Sequence, residues 1–195
     1  MSKLPGPARP KGRRATMGDL WIRSGWGFRA LFVALALTSL FLRLLPLPHD
    51  PGALPGPDMM LCLILAWVVR RPDYLPMPLI LIAVLVEDLV LMRPPGLWTA
   101  VTVLATEFLR SRTILTREIS FAVEWMLVAG VMLSMMLANR LVLALAFSAQ
   151  VPLGAALVQI LWSIALYPLI VGLSRLAFDL RKPASGEVDD YGRRL

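Results

Sequence analysis

One cysteine and one histidine occur in 195 residues. The lone Cys62 excludes an intramolecular disulfide, and the lone His49 excludes a multi-histidine metal site or a zinc-protease helix. No Gly-x-Ser-x-Gly elbow and no phosphate-cradling loop is present. The adjacent acids Glu87 and Asp88 point about 100° apart on a helix, unlike the facing carboxylates of a catalytic dyad. The chain therefore reads as a non-enzyme without cofactor or metal. Charge is scarce too, at 17% of residues, and acids are outnumbered by bases, 13 to 20.

What the sequence has instead is apolar length. It is 57% apolar with a mean hydropathy of +0.69, above the roughly 45 to 50% apolar usage of soluble domains. An all-α integral membrane protein follows, a six-helix bundle in one domain. Its spans are expected near 30–45, 59–69, 77–92, 97–109, 119–147 and 153–178, between a basic arm (1–29) and a polar tail (179–195). The arm reads as disordered, with Trp21, Ile22, Trp26 and Phe28 as either an interfacial anchor or incidental residues in a solvated tail.

The stretch 67–99 is the expected organiser. It joins a basic turn (Arg70, Arg71, Pro72, Asp73) to an apolar run carrying Glu87 and Asp88, then to the turn Arg93-Pro94-Pro95-Gly96. Each charge at membrane depth costs about 2.5 to 3.5 kcal/mol on insertion scales, so those acids must face protein or water. Before this stretch, Pro57-Asp58 reads as a turn and N-cap opening a helix only about 17 Å long at 1.5 Å per residue. Such a helix cannot cross about 30 Å of hydrocarbon unaided. Burial within protein or local thinning of the bilayer resolves the mismatch.

Six spans put both termini on one side. The bases on that side number seventeen, against three (Arg43, Arg93, Arg140) on the other, which places the termini in the cytoplasm. The cytoplasmic rim is expected to include Arg70, Arg71, Arg110, Arg112 and Arg117, facing anionic lipid or a cytoplasmic partner rather than nucleic acid. Intramembrane charges then fall into two layers. Pairing is expected of Glu87 or Asp88 with Arg43 or Arg140 in the outer layer, and of Glu107 or Glu124 with Arg110 or Arg175 in the inner one. The alternative is a polar pocket or proton path. A bend or exit from the membrane is expected at Asn139-Arg140, and a kink at Pro168.

Small residues recur every four positions at Ala30, Ala34 and Thr38, and at Gly130, Ser134 and Ala138. Such stripes let another helix approach closely, either within the bundle or from a partner or second copy. Met132, Met135 and Met136 read as packing residues rather than metal ligands.

The succession PGPDMMLCLILAWVVRRPDYLP, VEDLVLMRPPGLWTAVTVLATEFLR, VEWMLVAGVML, NRLVLAL and LYPLIVGLSRL resembles the rod-shape-determining MreD family over about residues 40–195. Pro57, Asp58, Pro72, Asp88-Leu89 and Pro95-Gly96-Leu97 carry the match. The family's Gly-rich third helix is replaced here by PLILIAVLVEDL. The resemblance implies a non-catalytic scaffold in a bacterial inner membrane, part of the Rod machinery that elongates peptidoglycan and maintains rod shape. The partners it implies are MreC directly, with RodA, a class B penicillin-binding transpeptidase and MreB in the same complex. It also implies kinship to the substrate-binding (S) components of energy-coupling-factor transporters, with an outward cavity; Ala30 and Ala34 resemble the Ala-x-x-x-Ala step of those subunits. A small-molecule or lipid binding subunit of such a transporter is accordingly the second functional expectation.

Overall fold

A computed structural model describes residues 25–45, 55–112, 120–148 and 150–178. The expected arm up to residue 24, the tail from residue 179, His49 and Arg117 lie outside the described residues. Among the described residues, all regular structure is helical: α1 (Trp26–Leu44), α2 (Met59–Arg70), a 3-10 turn (Pro72–Tyr74), α3 (Met77–Val90), α4 (Leu97–Ser111), α5 (Phe121–Leu145) and α6 (Leu153–Phe178). Three of them, α1, α5 and α6, are long and apolar enough to cross a membrane. Their outer faces are apolar yet exposed, at Leu37 and Phe41, Leu137 and Leu141, Leu169 and Leu173. That surface suits hydrocarbon better than water.

The boundaries follow local chemistry. Asp58 caps α2, its Oδ1 accepting the Leu61 N–H at 3.0 Å. Pro72 follows α2 closely, and α3 starts behind Pro76 with a second proline in its first turn. The outer turn reaches α4 through Gly96 at φ 86°, a left-handed conformation that favours glycine. Two helices end in the same conformation without glycine. Met92 (φ 51°) and Phe147 (φ 50°) close α3 and α5, with six-to-one bonds from Arg93 N–H to the Asp88 carbonyl and from Ser148 N–H to the Leu143 carbonyl, both 3.0 Å.

Packing makes α2 the centre. Every residue from Met60 to Arg70 is buried, and α2 touches α1, α4 and α6, while α3 packs on α4 and α5 on both α4 and α6. The sequence puts the organiser at 67–99; the structure puts it one helix earlier. The reason is length: a 12-residue helix spans about 18 Å, so its backbone and ends are best covered by longer neighbours. Phe32, Ala36 and Leu40 of α1, Met132, Met135 and Met136 of α5, and Ile160, Tyr167 and Val171 of α6 supply the buried apolar side chains of those neighbours.

One local expectation is corrected. Helix α1 begins at Trp26, so Trp26 and Phe28 are helical rather than part of a separate anchor; Phe28 stacks on Tyr74 at 4.4 Å and 3°. Helix α5 stays helical through Asn139 and Arg140, and the Arg140 side chain bonds the Val151 carbonyl beside it. Helix α6 carries Pro168 in its interior.

Candidate functional site

The end of the bundle holding the α1–α2 connection is the upper end. There α1 finishes, α2 starts and α3 finishes, so Arg43, Asp58 and Glu87 are brought together from three elements. Arg43 Nη1 lies 2.5 Å from Glu87 Oε1 and 3.5 Å from Asp58 Oδ2. Both acids are nearly inaccessible, while Arg43 keeps 24% of its side chain exposed. Asp58 is further fixed by its backbone N–H, which donates to Ser163 Oγ of α6 at 2.8 Å.

Asp88 belongs to a different arrangement. Its Oδ2 accepts from the Thr99 hydroxyl at 2.8 Å and the Thr99 N–H at 3.2 Å. Thr99 is in the first turn of α4, so Asp88 satisfies an orphan donor at a helix N-terminus, where the dipole also favours a negative group. Pairing with Arg43 or Arg140 is thereby excluded for Asp88, which faces α4. Arg140 donates from Nη1 to the Val151 carbonyl at 2.9 Å, and Gln150 Nε2 donates back to the Arg140 carbonyl at 3.2 Å. The loop between α5 and α6 is stapled by its own arginine.

At the lower end a second buried set forms. Arg70 Nη2 sits 2.9 Å from Glu124 Oε1, the side chains 4% and 1% exposed. The Tyr167 hydroxyl donates to the same oxygen at 3.0 Å, and Arg70 Nη1 donates to the Ala66 carbonyl at 3.3 Å. Two expectations fall here. Arg70 is an interior ion-pair partner and not a rim residue, and Glu124 pairs with Arg70 where Arg110 or Arg175 was expected. Arg70 occupies the last turn of the central helix and is enclosed by α5 and α6.

The other expected rim residues are less buried. Arg71 lies over the Tyr74 ring and Arg112 over Phe108. Arg110 donates to the Leu75 carbonyl and stands 3.5 Å from Glu107, a half-buried pair along one helix.

Both small-residue stripes face outward. Ala30, Ala34 and Thr38, and likewise Gly130, Ser134 and Ala138, are exposed, and a Cβ added at Gly130 would meet nothing within 4 Å. The internal packing expected of them is corrected: the buried positions of α1 are Phe32, Ala36 and Leu40 and those of α5 include Val131 and Met135, each offset from the stripe.

Two cavities open at the upper end. One, about 330 Å³, lies between the α3–α4 turn, the end of α5 and the start of α6, with Arg93, Arg140, Asn139 and Gln150 on its wall. The other, about 340 Å³, is bordered by Arg43, Glu87 and the turn before α2. Asp58 lines the first and Gln159 lines both. No group of three or more His, Cys, Asp or Glu side chains placed to hold a metal occurs among the described residues.

Tyr167, Thr99, Ser163 and Gln159 escaped the sequence reading. Tyr167 carried a faint signal, a hydroxyl beside Pro168 in an apolar run; the others are ordinary polar residues whose partners lie far away in the chain. No family model, curated protein or solved structure matches this chain.

Proposed function

We propose that this chain is a non-catalytic membrane scaffold of the MreD kind, binding a bitopic MreC-like partner through its outer helix faces within a bacterial wall-elongation complex. The reading is supported by one observation above others. The interior acids Asp58, Glu87, Asp88 and Glu124 each hold an internal bond, while the close-approach stripes of α1 and α5 are left on the outside. Charges locked in this way fix helix register, and small residues facing outward admit a partner helix. RodA, a class B transpeptidase and MreB would join the same assembly without direct contact being required.

The test is affinity purification of the tagged full chain from its native membrane in mild detergent, followed by mass spectrometry. Stoichiometric MreC with the elongation glycosyltransferase and transpeptidase is expected, and Ala34→Leu or Ser134→Phe should remove MreC while the chain stays folded. Recovery of an energy-coupling transmembrane subunit with paired ATPases, and no wall-synthesis protein, would overturn the scaffold in favour of a transporter subunit.

A further inference from the structure

The upper cavity beside α5 and α6 has a property that the charge clusters lack. Arg43, Arg70 and Arg110 each have a carboxylate within 4 Å. The two arginines on this cavity wall, Arg93 and Arg140, have no carboxylate within 4 Å among the described residues, although Arg93 is near enough to Glu87 to act on it electrostatically, and the one acid in the wall, Asp58, is engaged by Arg43 at 3.5 Å. A cavity with two guanidinium groups and no free acid is an anion site by charge.

Both groups are held in place. Arg140 is fixed by its bond to the Val151 carbonyl, and Arg93 lies over the Trp98 ring at 5.8 Å. Asn139 and Gln159 add amide groups to the wall, beside Gln150, whose Nε2 donates to the Arg140 carbonyl. The rest of the wall is largely apolar, with Trp98, Met136, Leu143 and Ile160. The volume, about 330 Å³, is at the small end of ligand pockets, which run from about 300 to 1,000 Å³. It suits a headgroup and the start of a chain rather than a whole lipid. We infer that this cavity binds the phosphate of an amphiphile, with the arginines forking onto its oxygens and the apolar wall taking the adjoining hydrocarbon.

The inference goes beyond the scaffold reading, since neither small-residue stripe borders the cavity. The test uses the purified full chain in dodecyl maltoside, titrated with dioleoylphosphatidylglycerol and, separately, with dioleoylglycerol or inorganic phosphate, and read by native mass spectrometry. One phosphatidylglycerol should be retained per chain, with dioleoylglycerol and inorganic phosphate bound at least about tenfold more weakly. Arg93→Gln with Arg140→Gln should weaken retention by about tenfold or more, with part recovered by Lys at both positions, while Arg112→Gln leaves it unchanged. Ala156→Trp, which fills the cavity without touching a charge, should also abolish retention, so a misfolded arginine variant would not decide the matter alone. Equal retention by wild type and the cavity variants would overturn the inference. So would binding of inorganic phosphate as tight as that of the lipid, which would assign a soluble anion instead. Partner co-purification should be unaffected in either case.

Discussion

Arg43 and Glu87 stand 44 positions apart in the chain and meet at 2.5 Å, with Asp58 on the other flank of the same guanidinium. One cation thus serves two buried anions, and the three positions are not equivalent. Removing Glu87 leaves Arg43 with Asp58. Removing Arg43 leaves two acids facing each other, and breaking a buried pair in this manner costs about 3 to 5 kcal/mol. Arg43→Met should therefore lower the unfolding midpoint in detergent much more than Glu87→Gln does. Equal losses would show that Asp58 takes no part.

The lower set gives a graded series. Tyr167→Phe removes one hydrogen bond to Glu124 and should cost about 1 kcal/mol, whereas Arg70→Met takes the buried cation away from a buried carboxylate and should cost about 3 kcal/mol or more. The double variant Arg70→Met, Glu124→Met removes both charges and should be less harmful than Arg70→Met alone. A double-mutant cycle by thermal unfolding measures the coupling; strict additivity would mean that the ion pair contributes nothing.

Asp88 holds α4 by its first turn rather than by a salt bridge, so shape and acceptor count should matter more than charge. Asp88→Asn keeps an oxygen for Thr99 and should cost less than about 1 kcal/mol, while Asp88→Ala leaves the Thr99 N–H and hydroxyl without their acceptor and should cost about 2 kcal/mol. Unfolding midpoints compare the two; a larger loss in Asp88→Asn would make the charge the dominant factor.

Gly130 tests the outward stripe from the stability side. Nothing lies where its Cβ would go, and glycine within a helix is about 1 kcal/mol less favourable than alanine. Gly130→Ala should raise the unfolding midpoint of the isolated chain. A fall would mean that the face packs against something in the purified state, such as a second copy, which cross-linking would then reveal.

The helical character, the cap at Asp58 and the turn at Gly96 were legible in the sequence because each is set by neighbours within a few residues. The destination of the charges was not. Arg70 looks like any basic residue at the end of a span, and its partner Glu124 is 54 positions away, with no period linking them. Arg140 reads as a partner for Glu87 or Asp88 because a bond to a main-chain carbonyl leaves no trace in side-chain identity. A four-residue spacing marks where helices could approach, but the same spacing serves inside and outside the bundle, so the outward placement of Gly130 and Ser134 depended on packing. The pattern of α2 was legible as a short helix, and its role as the centre was not, since burial on all sides resembles a span in composition.

The encirclement of α2 has a consequence for biogenesis. With only 12 residues, it is too short to rest as a stable crossing when it leaves the ribosome, because about 20 are needed to match the hydrocarbon. Its final seat is made by α4 and α6, and α6 extends to Phe178. The segment must therefore wait, shielded or only partly inserted, until α6 has been synthesised. Assembly then closes around it in one late step, and a chain truncated before α6 would expose the residues that become the centre.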